Sequence, residues 1–293
     1  MLDIDSVTRK FGDITAVDTV TFEVGDGDLV GFVGGNGAGK TTTMRMIMGV
    51  LAIHGGEVRW RGRPITAGDR RTFGYMPEER GLYPKQPVLD QLVYLARLKG
   101  MDAGPARRSA LDSLERFGLR ERAKDRVEKL SLGNQQRVQI IAALLAQPAA
   151  LILDEPFSGL DPDAVDAMAG LLREHTRAGV PVLFSSHQLD LVERLCDRLV
   201  VLGHGRVLAR GTVEELRTSG ARRHRLVLDG DAGWTRSQPG VAVADVDGPT
   251  ALLELLSPGA ERDLLAEALR RGTVRSFAPM IPTLSEIYRE VTA

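Results

Sequence analysis

The hydrophobic positions form short apolar runs that are separated by polar stretches with helical spacing, which indicates an α/β protein. Two stretches, 2–8 and 15–24, are rich in β-branched residues and alternate partly, so we predict strands there. Short strands are also expected at 56–60 and 72–75. Three further runs are almost wholly apolar, as buried strands of a parallel sheet are: 28–33, 149–153 and 180–184.

The middle of the chain, residues 77–147, changes to a helical pattern. Leucines recur at helical spacing from Leu89 to Leu98, and a second helix is predicted at about 104–117, ending at Gly118. A third begins within Leu130–Arg137, runs from Val138 to Ala146 and stops before Pro148. We therefore predict a helical insert here, preceded by the helix that follows strand 28–33 and ends near Met48. Two later helices are expected, at 162–178 and 188–196.

The pattern restarts after Ser219-Gly220-Ala221, which we interpret as a linker. We predict a first domain over 1–219 and a small α+β domain over 220–293. The expected elements of the second domain are strands near 225–229, 241–246, 250–255 and 273–278, a helix at 259–271, and a last helix capped by Thr283 with Glu286.

Composition narrows the class without naming a function. The 293 residues are 43% hydrophobic and 26% charged, an ordinary globular balance. The net charge of −1 gives no global field that favours nucleic acid or an anionic membrane. Cys196 is the single cysteine, so no intramolecular disulfide can form. No apolar run reaches the roughly 18 residues of a membrane span, and with Asp3 and Asp5 near the start we expect no secretory signal.

The chemistry centres on Gly34-Gly35-Asn36-Gly37-Ala38-Gly39-Lys40-Thr41-Thr42, which lies between a predicted strand and a predicted helix. It matches G-x-x-x-x-G-K-[ST], the phosphate-binding loop. Glycines let backbone N–H groups converge on phosphate, and the helix N-terminus adds partial positive charge. In this motif Lys40 neutralises the β- and γ-phosphates and the Thr41 hydroxyl ligates Mg²⁺.

Other polar residues lie where apolar strands end. Asp154 and Glu155 follow the run 149–153, and Ser185-Ser186-His187 follows 180–184. Ligands of doubly wound sheets bind at the carboxyl ends of strands, so a metal-ligating Asp with a water-activating Glu competes here with an ordinary polar loop start. A lone histidine is more often structural than catalytic. Two other choices stay open: Phe11 as core or as a platform for adenine, and Ser131 or Asn134 as a plain helix cap.

Taken together, five ordered motifs resemble the ATP-binding-cassette (ABC) family: Gly34–Thr42, Leu130–Gln136, Leu153–Pro156, Ser158–Pro162 and Ser185–His187. They span roughly residues 1–218. The resemblance implies a P-loop NTPase core with an antiparallel β subdomain and a helical insert.

The resemblance also implies roles. Asp154 is the Mg²⁺-supporting acid, Glu155 the general base that orients the attacking water, and His187 the γ-phosphate sensor. Asp161 couples the two sites of a dimer. The implied ATP contacts are Phe11 on adenine, the loop residues Gly34, Gly35, Asn36, Gly37, Ala38, Gly39, Lys40, Thr41 and Thr42, and, for the opposite subunit's ATP, Ser131 and Gly133.

Three departures from the family pattern are visible. Tyr75-Met76-Pro77 is followed by Glu78 where the family has Gln, so we expect Glu78 to face Mg²⁺ with an added negative charge. Leu132 and Asn134 replace Gly and Gln of Leu-Ser-Gly-Gly-Gln, while Ser131 and Gly133 are kept. Gly35 replaces a common Pro.

The chain is similar to ATPase subunits of bacterial exporters, including the sodium-efflux and multidrug branch. That implies Mg²⁺-dependent ATP hydrolysis, a separate transmembrane permease as partner, a homodimer or a heterodimer with another ATPase subunit, and a peripheral place at the cytoplasmic face of the membrane. The alternative is a soluble ABC ATPase acting on nucleic acid or ribosomes. Such proteins usually carry a long coiled-coil insertion or two cassettes, so no nucleic acid is expected. A pure nucleotide sensor would lack Glu155 and His187.

Overall fold

The structure, a computed structural model, describes residues 1–79, 81–219, 223–280 and 283–292. It contains two compact units, Met1–Val213 and Glu214–Val291. Gly220 and Ala221 of the predicted linker lie outside the described residues.

The first unit contains most of the regular structure. Its strands are β1 (Leu2–Phe11), β2 (Ile14–Val24), β3 (Leu29–Val33), β4 (Gly55–Trp60), β5 (Arg63–Pro64), β6 (Gly74–Met76), β7 (Leu151–Leu153), β8 (Val182–Ser186), β9 (Arg198–Gly203) and β10 (Arg206–Thr212). Its α-helices are α1 (Lys40–Ile47), α2 (Ala67–Thr72), α3 (Val88–Leu98), α4 (Ala103–Arg116), α5 (Leu132–Leu144), α6 (Pro162–Arg177) and α7 (Leu189–Leu195).

Two sheets organise this unit. The first is antiparallel, with strand order β2-β1-β4-β5. The second has the order β10-β9-β3-β8-β7-β6 and is parallel except for the edge strand β10. The predicted α/β class, with its antiparallel β subdomain, is therefore confirmed. Three helices, α3 to α5, occupy the stretch predicted as the helical insert.

The core fills the space between the antiparallel sheet, α1 and one face of the parallel sheet. Phe22 of β2 packs on Phe32 of β3 with ring centroids 5.0 Å apart, and Met44 of α1 is fully buried beside them. Burial of each such side chain contributes about 2 kcal/mol. This packing fixes α1, and with it the loop that precedes the helix, against the end of β3.

The carboxyl ends of the parallel strands meet at one edge of the sheet. Val33 of β3 pairs with Ser186 of β8, and Leu153 of β7 pairs with Phe184 of β8. The segments that follow β3, β7 and β8 therefore emerge side by side. This is the edge at which open α/β sheets bind their ligands.

Several boundaries differ from the predictions; β1, for example, extends to Phe11 rather than ending at residue 8. The strand expected at 72–75 is β6, and α2 precedes it because Thr66 and Asp69 form a capping box that an apolar pattern does not reveal. The helix expected to reach Ala146 stops at Leu144, because Ala146 and Gln147 adopt left-handed φ of 66° and 50°. The strand expected at 180–184 is β8, which begins at Val182 and extends to Ser186, so that it includes Ser185.

The second unit, Glu214–Val291, is built of strands and helices and begins before residue 220, where the second domain was expected to start. It contains α8 (Val213–Ser219), β11 (Arg223–Leu228), β12 (Val241–Asp247), β13 (Thr250–Leu255), α9 (Ala260–Arg271), β14 (Val274–Pro279) and α10 (Leu284–Thr292). The strands form an antiparallel sheet of order β12-β13-β11-β14. The predicted cap of α10 is confirmed, since the Glu286 N–H donates to Thr283 Oγ1 and the Thr283 N–H to Glu286 Oε2.

Two glycines of the first unit differ in how much space their surroundings leave for a side chain. A Cβ on Gly31 of β3 would lie 2.5 Å from Val192 Cγ1 and 2.7 Å from Cys196 Sγ, whereas a Cβ on Gly170 of α6 meets no atom within 4 Å. We expect Gly31→Ala to destabilise by about 1–3 kcal/mol through overpacking. Gly170→Ala should stabilise by about 0.5–1 kcal/mol, because Ala is the better helix former. Thermal unfolding midpoints check this, and equal shifts of one sign would contradict it.

Candidate functional site

The phosphate loop is shaped by glycines that no other residue could replace without strain. Gly37 and Gly39 have φ of 78° and 103°. A Cβ on Gly39 would lie 2.8 Å from the Ala16 carbonyl oxygen, and one on Gly34 would lie 2.7 Å from that of Leu202. The loop therefore lies directly against its neighbours and presents backbone N–H groups at the start of α1.

Lys40, the first residue of α1, is buried, with 8% of its surface exposed. Its Nζ donates to the carbonyl oxygens of Gly34 at 2.6 Å and Gly35 at 3.3 Å. These bonds fold the side chain back over the loop. The ammonium group is thus held within the loop, where phosphate would be bound.

The loop forms one wall of an open cleft of about 360 Å³. Residues from four separate segments line it: Ala16, Gly35, Asn36, Gly37, Ala38, Gly39, Lys40, Thr41, Thr42, Glu78, Asp154 and Glu155. The structure therefore brings the predicted loop residues together with the three predicted acidic residues.

Asp154 is almost fully buried at the end of β7. Its Oδ1 accepts a hydrogen bond from Ser185 Oγ at 2.5 Å, while its buried Oδ2 has no hydrogen-bond partner among the described residues. Burial raises the pKa of this carboxyl group, and the hydrogen bond from Ser185 opposes that rise. A buried carboxylate oxygen without a partner, facing a cleft with a lysine, suits a cation.

Thr41 and Glu78 lie close together at this cleft. The Thr41 hydroxyl donates to Glu78 Oε2 at 3.2 Å. Within the described part of the chain, no cluster of three or more His, Cys, Asp or Glu residues is arranged to hold a metal ion. Protein ligands alone therefore do not make a complete metal site here.

Glu155 has an unusual backbone, with a left-handed φ of 50° that non-glycine residues rarely adopt. Its N–H donates to Ser185 Oγ at 2.8 Å, and its carbonyl oxygen accepts from Gln136 Nε2 at 3.0 Å. Its Oε2 lies 2.9 Å from Nδ1 of His187. The side chain is largely buried, whereas that of His187 is 58% exposed. The predicted base and the predicted sensor are therefore in direct contact.

Ser131 and Gly133 do not line this cleft. Ser131 is the N-cap of α5, its Oγ accepting from the Asn134 N–H at 3.3 Å. Between them Leu132 is 63% exposed. A Cβ on Gly133 would lie 3.0 Å from the Gly159 carbonyl oxygen, which brings this turn next to the loop that follows Glu155.

Phe11 lies at the end of β1 and is 46% exposed, so it is not a core residue. The Arg9 guanidinium lies 4.8 Å from the centroid of its ring. Phe11 does not line the cleft itself. It pairs with Ile14 in the hairpin of β1 and β2, two residues before Ala16, which does line the cleft.

Asp161 begins α6 and meets the helical insert. Its Oδ1 accepts from the Ala164 N–H at 2.8 Å, and its Oδ2 accepts from Arg137 Nη2 at 2.6 Å. The backbone donor and the guanidinium lower the pKa of the Asp161 carboxyl group. The loop after Glu155 is therefore joined to α5 by an ion pair.

Three residues that contact the site were given no individual role by the sequence analysis. They are Ser185, which bonds to Asp154 and Glu155, and two glutamines on α5: Gln136, bonded to Glu155, and Gln139, whose Nε2 donates to the Pro77 carbonyl oxygen at 2.7 Å. The available signal was polarity at buried positions, since Gln136 and Gln139 fall within an otherwise apolar helix face.

None of the helices in the described part of the chain combines the length and apolarity that crossing a membrane requires.

Comparison with known proteins identifies two family regions. Residues 17–158 match the model of the ABC transporter family, and residues 211–292 match the C-terminal domain of the ATP-binding protein DrrA1-3-like family. The first match contains the phosphate loop and the Asp154-Glu155 pair.

Relatives and a solved structure extend the match. The chain is 41% identical over 291 residues to the uncharacterized ABC transporter ATP-binding protein YhaQ of Bacillus subtilis, covering 99% of this chain and 98% of that protein. It is 34% identical to Nod factor export ATP-binding protein I of Paraburkholderia xenovorans, covering 89% and 82%. The dimeric ATP-binding cassette MJ0796, solved in a post-hydrolysis state with ADP and Pi, superimposes with a TM-score of 0.67 at 26% identity, covering 73% of this chain and 99% of that one. The chain therefore belongs to the ATP-binding subunits of ABC transporters, a family of P-loop ATPases.

Proposed function

We propose that this protein binds and hydrolyses ATP as a dimer and so powers a separate membrane permease, in the direction of export. The observation that carries the proposal is the single cleft that holds Lys40, Asp154 and Glu155 beside the phosphate loop. It has the groups needed to bind a triphosphate, to hold its cation and to orient a water molecule.

The residues present fit Mg²⁺ bound together with ATP. Asp154 Oδ2 is buried without a partner, and the Thr41 hydroxyl and Glu78 carboxylate lie at the same cleft. These three groups would face the ion, and phosphate oxygens would complete its coordination. Mg²⁺ would supply charge neutralisation at the β- and γ-phosphates.

The hydrolytic roles follow from the contacts of Glu155. Its carboxylate orients the attacking water, and Lys40 neutralises charge on the phosphates. His187 contacts Glu155 Oε2 at 2.9 Å and so links the γ-phosphate to the base. Catalysis by this set rests on positioning and electrostatics.

We assign the binding of the adenine ring of ATP to Phe11. Its exposed ring, in the hairpin next to Ala16, offers a face on which adenine stacks. Gly34 to Thr42 would hold the phosphates from the other side.

A dimer completes the site. Ser131 and Gly133 lie away from the cleft of their own chain, at the exposed first turn of α5. We infer that they close over the nucleotide of a second ATPase subunit, either another copy or a paralogue. That MJ0796 was solved as a dimer with ADP and Pi supports a dimer for this protein.

The proposed partner and the direction of transport are argued from a relative and from one surface of the helical insert. The printed function of the Paraburkholderia relative is export. On α3 of the helical insert, Tyr94 and Leu98 lie one turn apart and are 51% and 63% exposed, a surface suited to an apolar partner. We place the protein at the cytoplasmic face of the membrane, with residues 220–293 as an accessory domain that stabilises the dimer or regulates the permease.

Glu155→Gln tests the assignment of the base. We expect hydrolysis to fall by about 10²–10⁴, because the amide cannot accept the proton of the attacking water. ATP binding should persist, and a dimer with bound ATP should accumulate. Phosphate release, ATP titration and size-exclusion chromatography measure these effects. A variant that turns over at the parental rate would exclude Glu155 as the base.

Glu78→Gln tests the metal assignment, with Glu79→Gln as the matched control. Removing the charge of Glu78 should strengthen ATP binding in EDTA by about five-fold, on the order of 1 kcal/mol, and change binding in Mg²⁺ much less. The Glu79 side chain is 85% exposed and pairs with Arg45, so its variant should keep the parental ratio of the two dissociation constants. The same ratio in all three proteins would remove Glu78 from the metal site.

Leu98→Asp tests the partner surface. A charge there should release the protein from membranes of its source cell while leaving ATP binding intact, because an apolar contact would have to bury the carboxylate. Leu269→Asp, at a similarly exposed position (66%) on α9, is the control. The amount that sediments with membranes is the measurement. Undiminished sedimentation and transport in Leu98→Asp would place the permease contact elsewhere.

A further inference from the structure

The backbone of Glu155 is held in its left-handed conformation from both sides. Its φ of 50° is rare for a residue with a side chain. The N–H donates to Ser185 Oγ, and the carbonyl oxygen accepts from Gln136 Nε2. The direction in which the Glu155 side chain leaves the backbone depends on this conformation.

The two residues that make these bonds are themselves immobilised by burial. Ser185 is fully buried within β8, and Gln136 is 7% exposed on α5. Gln136 Nε2 also lies 3.2 Å from the Pro156 carbonyl oxygen, so one amide group bonds to two consecutive carbonyls. Ser185 comes from the parallel sheet, whereas Gln136 comes from the helical insert.

Gln136 lies on α5, the helix that also carries Ser131 and Gly133. Ser131 caps this helix little more than one turn before Gln136, and Gly133 lies in the first turn, less than one turn before Gln136. In the function proposed above, that first turn closes over the nucleotide of the second subunit. In this arrangement the start of α5 contacts the nucleotide of the second subunit. Farther along the same helix, Gln136 contacts Glu155, the base that acts on the nucleotide of its own subunit.

We propose that Gln136 is a positioning residue that ties α5 to the Glu155 peptide, so that closure of α5 on the partner's nucleotide sets the orientation of the base in its own cleft. Ser185 bonds to Glu155 from the other side, and we call the two hydrogen bonds to the Glu155 backbone, from Gln136 and from Ser185, the clamp. The inference rests on the proposed function, and specifically on Glu155 as the base. It makes hydrolysis in one cleft dependent on engagement of the other.

The chain offers a matched control for each half of the clamp. Gln135 is the neighbour of Gln136, but its Nε2 donates to the Leu130 carbonyl oxygen at 3.0 Å. Ser186 is the neighbour of Ser185 and is also buried, but its Oγ accepts from the Gln188 N–H at 3.0 Å. Neither control residue has a hydrogen bond to Glu155 among the described residues.

The experiment compares Gln136→Met with Gln135→Met in the full-length protein. Met keeps the length of the side chain and removes the amide donor. We expect the kcat of ATP hydrolysis to fall about ten-fold in Gln136→Met, the effect of losing one positioning hydrogen bond, while the Kd for ATP and the thermal midpoint stay within about two-fold and a few degrees of the parent. Gln135→Met removes an amide from the same helix but keeps the bond to Glu155, so it should lower kcat less than Gln136→Met does. Equal kcat values in the two variants would overturn the proposal.

A double-mutant cycle separates positioning from general damage. In the Glu155→Gln background, where the base is gone, Gln136→Met should lower the residual rate no further. A further ten-fold loss in that background would show that Gln136 acts through something other than Glu155, and would overturn the inference.

If Gln136→Met lowers the thermal midpoint, a second pair of variants, at Ser185 and Ser186, provides the test. Ser185→Ala should reduce kcat more than Ser186→Ala with ATP affinity retained, and equal effects would count against the clamp. The two proposals fail differently. A parental rate in Glu155→Gln overturns the proposed base and the clamp with it, whereas loss of rate in Glu155→Gln with a parental rate in Gln136→Met overturns the clamp alone.

Discussion

The pairing of β3, β8 and β7 fixes where the phosphate loop, Asp154, Glu155 and His187 lie. Val33 pairs with Ser186 across one boundary, and Leu153 with Phe184 across the other. The phosphate loop, the two acids and His187 therefore begin within a residue or two of the same level. A shift of one residue in either pairing would move the attached segments out of level by about 3.3 Å. The geometry of the site therefore depends on this register.

The charge of this cleft is the basis for proposing that it binds a cation. Three carboxylates, of Glu78, Asp154 and Glu155, face a single ammonium group, that of Lys40. At an effective dielectric constant of 20, two unit charges 4 Å apart interact by about 4 kcal/mol, so a triphosphate added to this set would be repelled. Burial of Asp154 adds to the cost and raises its pKa. A divalent ion at the free Oδ2 of Asp154 offsets both terms, which is why Mg²⁺ and ATP are proposed to bind together.

The sequence was sufficient for those parts of the site that depend on local geometry. The phosphate loop can be predicted because glycine, lysine and threonine are required at fixed spacing, and apolar runs mark the strands that end at the acids. It was insufficient where a contact joins distant segments. Ser185 was placed at the end of an apolar strand but its bonds to Asp154 and Glu155 were not foreseen, and the polarity of Gln136 does not indicate that it reaches Glu155, 19 residues away. The left-handed φ of Glu155 was also beyond prediction, because glutamate has no preference for it.

The magnitudes suggest why two bonds to the Glu155 peptide, rather than one, hold it in place. A left-handed conformation costs a residue with a Cβ roughly 1–2 kcal/mol, and a single hydrogen bond contributes about 1 kcal/mol net. One bond is therefore no more than balanced by the strain, whereas the bonds from Ser185 and Gln136 together outweigh it. Gln139, three residues after Gln136 on the same face of α5, bonds to the Pro77 carbonyl just before Glu78. A small rotation of α5 would thus move Glu155 and Glu78 together. The positions of these two acids of the cleft therefore depend on the orientation of this helix.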